Sequence, residues 1–252
     1  MADQPVEYEQ TVTLSANNDD ITRTGYTFAG WATTSVGPVV YLDASEYTHE
    51  IQNDRTLYAK WTPNQYAIVF HANGGTGTMQ NQAVDYDQTV TLTTNGFTRT
   101  GYTFAGWATT AGGAVVHANG ASYTHEIPGN RNLYARWTTH SYSIIFHANG
   151  GSGTMPNQSV DYDQTVTLTT NGFTRTGYTF AGWAITAGGA VAYENEASYK
   201  HTITSNRNLY ARWTANPYSI IFHANGGSGT MANQPVNYDQ TVTPPSRVDQ
   251  GV

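Results

Sequence analysis

The 252-residue chain contains no cysteine, which excludes disulfide bonds, thiolate metal sites and a cysteine nucleophile. Charged residues are scarce at 12%, lysine occurs only at Lys60 and Lys200, and the formal net charge is −7. A surface that binds nucleic acid needs clustered lysine and arginine, so no nucleic-acid partner is expected. No apolar stretch approaches the roughly 20 residues that span a bilayer, so membrane insertion is not expected either.

What the sequence does contain is a long internal repeat. Two sets of tryptophans recur at a constant spacing of 76 residues: Trp31, Trp107 and Trp183, and Trp61, Trp137 and Trp213. The spacing predicts two complete modules, one module without its leading strand, and one partial module with a tail. Their predicted bounds are 66–141 and 142–217 for the complete modules, 1–65 for the module without a leading strand, and 218–252 for the partial module.

A period of 76 residues is too long for one turn of a solenoid, so it predicts small independent domains that contact their neighbours in the chain. A domain of this size buries only about 60% of its unfolded surface, so its stability should depend on aromatic anchors. The predicted structural anchors are the six repeated tryptophans together with Phe70, Phe146, Phe222, Gly101 and Gly177.

Composition and patterning both predict a mainly β fold, because threonine, tyrosine and valine recur in alternation and strong helix formers are few. In the second module, the predicted strands are 66–70 as an inner strand, 84–92, 102–110 with a bulge near Gly106, 114–116 and 133–137. Phe104 and Trp107 are expected on opposite faces, and residues 119–127 are compatible with a short helix. Four-residue connectors are expected at 62–65, 138–141 and 214–217, and they predict an elongated rod.

Three segments of the module carry a resemblance to a known family. They are the strand into Asn-Gly-Gly at 66–75, the Gly-Tyr-Thr-Phe-Ala-Gly-Trp block at 101–107, and the closing Leu-Tyr-Ala-Arg-Trp at 133–137. The chain resembles the Listeria–Bacteroides repeat family, close kin of the B-repeats of internalin B. The resemblance implies a β-grasp-like fold, modules strung as stalks on bacterial surface or secreted proteins, and no catalytic or cofactor residues. His71 and its equivalents depart from the family pattern, which usually has Asp or Asn there.

Two recurring sets of polar residues are candidates for a catalytic or metal site. Asp85 and Asp87 lie two apart on a predicted strand, and such a pair could serve glycoside hydrolysis or bind calcium. A solvated strand face explains the pair equally well and is preferred. The repeated histidines, such as His71 and His125, lack the spacing of a zinc site. We therefore expect no catalytic, metal or cofactor residues, and an enzyme is not expected.

The leading hypothesis is a structural stalk or spacer of an adhesin-type protein that is secreted to the bacterial cell surface. The core and glycine positions recur in every copy, whereas the polar positions differ. The alternative is that the modules bind a host glycan or matrix protein through the variable region 111–130 and its equivalents. The residues proposed for that ligand surface are Tyr41, His117 and Tyr193.

A third hypothesis concerns unpaired strands. The first module lacks a leading strand, and residues 218–229 carry a spare one. An unpaired strand edge is a template for another chain, so head-to-tail self-association by strand donation is a further alternative. Truncation of a longer natural protein explains the same pattern.

Overall fold

The computed structural model describes residues 3–243, and these residues form strands and turns without any helix. The predicted mainly β fold is therefore confirmed. The chain divides into two compact units, Met1–Thr138 and Thr139–Val252. Ten strands begin in the first unit: β1 Thr11–Thr13, β2 Tyr26–Ala32, β3 Glu46–Thr48, β4 Tyr58–Pro63, β5 Gln65–His71, β6 Gln82–Asp85, β7 Thr89–Thr91, β8 Tyr102–Ala108, β9 Ser122–Thr124 and β10 Arg131–Thr139.

The second unit repeats the pattern of the second module and adds one hairpin. Its strands are β11 Ser141–His147, β12 Gln158–Asp161, β13 Thr165–Thr167, β14 Tyr178–Ala184, β15 Ser198–Lys200, β16 Arg207–Ala215, β17 Pro217–Ile220 and β18 Gln234–Asn237. The predicted tail at 244–252 lies outside the described residues.

Each complete module contains a four-stranded mixed sheet. The strand order is β6-β5-β10-β8 in one module and β12-β11-β16-β14 in the other. The leading strand pairs in parallel with the closing strand, with Ile68 opposite Arg131 and Phe70 opposite Leu133. The segment between these two strands contains a small antiparallel pair, β7-β9 or β13-β15. The inner position predicted for residues 66–70 is confirmed, because β5 is paired on both sides.

One face of the sheet forms the core of the module. Alternating residues of the two central strands are buried, including Ile68, Phe70, Leu133 and Ala135, and they pack around Trp107. This is the period-2 pattern expected when a strand has one buried face. Leu133, Ala135 and Trp137 contact the same core, which confirms the face predicted for the closing strand.

The predicted bulge occurs in the strand that carries the Ala-Gly-Trp sequence. The register shifts between Phe28 and Gly30 in β2, and between Phe180 and Gly182 in β14. The expectation that Phe104 and Trp107 point to opposite faces is wrong, since their ring centroids lie 4.9 Å apart. A bulge inserts one extra residue, which returns the later side chain to the same face.

Four other local predictions are corrected by the structure. Residues 84–92 do not form one strand, because a turn at Asp87 (φ 60°) separates β6 from β7. Residues 114–116 are not a strand, because only His117 forms a bridge, with Trp107. Residues 119–127 contain the short strand β9 instead of a helix. The connectors shrink to single residues between strands, namely Asn64, His140 and Asn216.

The two end portions have fewer paired strands. In the first module, β2 pairs with β4 and β1 pairs with β3. In the last portion of the described chain, β17 and β18 form an antiparallel hairpin. This hairpin corresponds to β5-β6, and its first strand is equivalent to the leading strand that the first module was predicted to lack.

Candidate functional site

The best-defined polar arrangement in the first unit is the joint between the first two modules. Its centre is Asn64, the only residue between β4 and β5. The Asn64 N–H donates to the Gly25 carbonyl (2.9 Å), and the Asn64 carbonyl accepts from the Tyr86 N–H (3.0 Å). The Thr27 hydroxyl donates to the Asn64 side-chain oxygen. The connector is therefore bonded to the module before it and to the module after it.

The same joint brings the Tyr86 ring against the backbone of Gly25. Gly25 has a φ of 77°, and a Cβ placed there would lie 2.2 Å from the Tyr86 ring. The ring also makes an edge contact with Tyr26, with centroids 5.5 Å apart. Any side chain at position 25 would clash with the ring and strain the backbone, so this position requires glycine.

Tyr26 adds a polar contact to the first joint. Its hydroxyl donates to a carboxylate oxygen of Asp87 (2.8 Å), and the Arg23 guanidinium lies over its ring at 3.7 Å. The hydrogen bond to Asp87 raises the pKa of the Tyr26 phenol above its ordinary value. The Asp87 that was considered for catalysis is therefore part of a contact between modules.

The second unit contains a second joint with the same geometry. The Asn216 N–H donates to the Gly177 carbonyl (2.9 Å), and the Tyr238 N–H donates to the Asn216 carbonyl (2.9 Å). The Thr179 hydroxyl donates to the Asn216 side-chain oxygen (2.7 Å). A Cβ on Gly177 would again lie 2.2 Å from the tyrosine ring. The two joints form in separate units, so the arrangement follows from the repeated sequence.

The predicted anchors occupy several environments. Trp107, Trp183, Phe70 and Phe146 are buried in the cores of the complete modules. Trp137 and Trp213 are half-buried, and their indole N–H groups donate to the carbonyls of Ala72 (3.0 Å) and Ala148 (2.9 Å). In the first module Trp31 is buried and Trp61 is half-buried, and Phe222 in the last portion is also half-buried. Gly101 and Gly177 both have positive φ values, of 77° and 74°.

The proposed ligand residues Tyr41, His117 and Tyr193 are half-buried. Each packs edge-on against a core tyrosine, with ring centroids 5.3 to 5.4 Å apart. The structure therefore places the three at equivalent positions on separate modules. The exposed neighbours include large aliphatic side chains, namely Val39, Val40, Leu42, Val115, Val116 and Val191. We call this set the aliphatic loops.

A buried histidine in each complete module was missed by sequence reasoning. His125 and His201 are fully buried, and each Nδ1 lies within hydrogen-bond distance of a tyrosine hydroxyl, Tyr123 or Tyr199. Arg131 Nε donates to the same Tyr123 hydroxyl (3.1 Å), so the hydroxyl proton is directed to His125. Burial, the largest cause, lowers the pKa of both histidines, and the neighbouring arginine charge lowers it further. The sequence signal was the recurring Tyr-x-His pair.

The other recurring polar residues make local contacts. Asp163 pairs with Lys200 (2.7 Å) on an exposed surface. The His71 ring stacks on Tyr134 with centroids 4.5 Å apart, and its Nε2 lies 2.9 Å from the Asn132 side-chain oxygen. Within residues 3–243, no three acidic or histidine side chains converge as a metal site would require.

The repeated geometry accords with a family comparison. Four segments match the Listeria-Bacteroides repeat domain, at residues 1–60, 66–136, 142–212 and 218–250. The chain belongs to this family. The glycine and tyrosine of each joint, Gly25 with Tyr86 and Gly177 with Tyr238, fall inside the matched segments of the Listeria-Bacteroides repeats, whereas the connectors at 64 and 216 lie between segments.

Two relatives of this Listeria-Bacteroides repeat chain come from Evansella cellulosilytica. One bears the name of a Gly-rich membrane protein and is 30% identical over an alignment of 250 residues that covers 93% of this chain. The other bears the name of a membrane protein and is 30% identical over an alignment of 197 residues that covers 76% of this chain. The matches cover 27% and 28% of the relatives' own lengths. In the part of the chain that the structure describes, no helix is long and apolar enough to cross a membrane.

Proposed function

We propose that this chain is a non-catalytic structural spacer within a bacterial surface protein. The observation that carries the proposal is the single-residue connector. Asn64 and Asn216 are each bonded through backbone and side chain to the flanking modules, which leaves little free chain at the joint. A spacer needs modules that fold reliably and joints that hold them apart.

The roles of the titratable side chains support a structural function. Asp87 bonds to Tyr26 across the first joint, Asp163 pairs with Lys200, and His125 is buried behind Tyr123. Each of these groups is used in folding or in joining modules. The names of the Evansella relatives support an envelope location, and the family membership supports a place among surface repeats.

Small-angle X-ray scattering of the chain tests the proposal. Each module of 76 residues should be roughly 30 Å across by the size scaling of globular domains. We expect a maximum dimension of roughly 100 Å, because three to four modules in series reach that length. A compact particle of about half that dimension would contradict the spacer function.

A second candidate function is binding of a host glycan or matrix protein. The observation that favours it is the aliphatic loops, which leave Val115 and Val116 exposed beside the half-buried His117. Binding to a glycan array or to immobilised matrix proteins above background would support it. Absence of binding to every member of both panels would remove it.

A third candidate is head-to-tail strand donation. Ile221 is 73% exposed and Phe222 is half-buried, whereas the equivalent Val69 is half-buried and Phe70 is 7% exposed. The hairpin β17-β18 would pair with β4 of a second copy, as β5 pairs with β10. Deleting residues 218–252 should then reduce the particle size in gel filtration by more than the mass removed. A size that falls only by that mass would rule donation out.

A further inference from the structure

We infer that each joint is a specific docking site, in which a tyrosine turn of one module locks onto a glycine at the start of a strand in the preceding module. In the first joint the turn is Tyr86–Asp87 and the receiving segment is 25–27. The partner that this surface fits is the front turn of another repeat of the same kind. The inference deepens the proposed spacer function and rests on it for its biological purpose.

The tyrosine is presented by a turn that is held on several sides. The Asp85 N–H donates to the Gln88 side-chain oxygen (2.8 Å), and the Gln88 N–H donates back to the Asp85 carbonyl (3.1 Å). The Asp87 N–H donates to the carbonyl of the buried His125 (2.8 Å). A ring held in place before contact loses less entropy on docking, which favours a specific contact.

The receiving surface is shaped for the ring. Gly25 and Gly177 leave a bare backbone against which the tyrosine ring packs, and a Cβ would overlap the ring at both positions. Both glycines also hold positive φ values, 77° and 74°, which disfavour every other residue type. Two independent reasons therefore require glycine at the position that the ring covers.

The first module supplies an internal comparison for the turn. Its own turn contains Tyr8 at the position equivalent to Tyr86, and the Glu7 N–H donates to Gln10 as Asp85 does to Gln88. Tyr8 is 55% exposed, whereas Tyr86 is half-buried against Gly25. The burial of Tyr86 therefore comes from the joint and not from the turn itself.

The test measures the distance between the first two modules in the full chain. The chain has no cysteine, so two spin labels can be attached at Glu46→Cys and Ser122→Cys. These are exposed, equivalent positions on β3 and β9, so the distance between them reports one repeat. We expect a single narrow distance distribution in the labelled parent. Tyr86→Ala and Gly25→Ala should each broaden the distribution at least twofold, and Tyr86→Phe should leave it narrow because the ring is retained.

The matched control is Tyr8→Ala, which removes the equivalent tyrosine from a turn that covers no glycine. It should leave the distribution unchanged. Circular dichroism of each variant checks that the modules remain folded, and Tyr86→Ala keeps the test decisive if Gly25→Ala unfolds. A broad distance distribution in the parent, or a narrow one in Tyr86→Ala, would contradict the docking of Tyr86 on Gly25. If scattering shows an extended particle but the spin-label distance distribution of the parent is broad, the docking site is refuted and the spacer function is not. A compact particle would refute the spacer function.

Discussion

The complete modules and the first module share their closing strand sequence but not its burial. Leu133 and Ala135 are completely buried, whereas the equivalent Leu57 and Ala59 are half-buried. The difference follows from the leading hairpin, because β10 lies between β5 and β8, whereas β4 pairs with β2. The leading hairpin is therefore needed to complete the core of the module, and it is not an addition to a core that is already closed.

The hairpin at the other end gives the reciprocal result. Phe146 is 7% exposed within a complete module, whereas the equivalent Phe222, just after β17, is half-buried. The apolar face of the hairpin is therefore less completely covered when the closing strand is not beside it. Neither half of the module buries its aromatic anchors fully without the other.

The largest expected effect is a loss of stability when the core tryptophan is removed, and it should differ between a complete module and the first module. Trp183 packs against Phe146 and Phe180, with ring centroids 4.9 Å apart in both cases, whereas Trp31 has only the contact equivalent to Phe180. Trp183→Ala should cost about 3–5 kcal/mol of unfolding free energy, and Trp31→Ala should cost less. Urea unfolding followed by circular dichroism measures both. Equal losses would show that the hairpin adds nothing to the core.

A second pair of substitutions compares the equivalent phenylalanines of a complete module and of the last portion. Phe146→Ala removes a buried ring and should cost about 3 kcal/mol. Phe222→Ala removes a ring that is only half-buried and should cost less, about 1 kcal/mol. The same urea experiment compares them, with both variants measured at several protein concentrations. A large, concentration-dependent loss in Phe222→Ala would instead indicate that a second chain covers this ring.

The buried histidines of the two complete modules predict a pH dependence of stability. Burial lowers the folded pKa of His125 and His201 below the ordinary 6.5, so the unfolded chain binds more protons below that pH. Stability should therefore be full above pH 6.5 and should fall as pH decreases towards the folded pKa. Melting temperatures between pH 7.5 and 5 measure the effect. His201→Gln should reduce the slope.

His71→Gln is the matched control for the pH experiment, because His71 is only half-buried on the other side of the sheet. This variant should keep the slope of the parent. The buried-histidine account would be wrong if His71→Gln flattened the slope as much as His201→Gln does.

The smallest effect is expected on the aliphatic loops. Val116→Ser replaces a side chain that is 55% exposed, so unfolding free energy should change by less than about 0.5 kcal/mol. The informative measurement is glycan or matrix binding, because it shows whether Val116 is needed for a ligand or for the fold. Loss of any glycan or matrix binding with stability unchanged would favour the ligand-binding function. A large stability loss would show that the loop belongs to the core.

The sequence was sufficient to predict the repeat, the mainly β fold and the central anchors. The Trp107 position follows from a constant spacing, and the alternation of Leu133, Ala135 and Trp137 follows from period 2. Both are local or strictly periodic signals. The failures occurred where one residue changes the phase, as at the bulge before Trp107 and at the turn of Asp87.

The joints could not be predicted because their partners are distant in sequence. Gly177 was predicted as an anchor from its recurrence, but Tyr238 and Asn216 gave no separate signal. Tyr86 alternates like a strand residue, so it was assigned to a strand face. A contact between residues 61 positions apart, such as Tyr26 with Asp87, depends on how one module meets the next.

The most direct test of the spacer is to change its length. Inserting one or two further copies of residues 142–217 after position 217 lengthens the chain without adding a new kind of joint. Scattering should then show the maximum dimension increasing by a constant increment of roughly 30 Å per inserted module. An increment that shrinks with each insertion, or a dimension that stays constant, would contradict a chain of modules that sets distance.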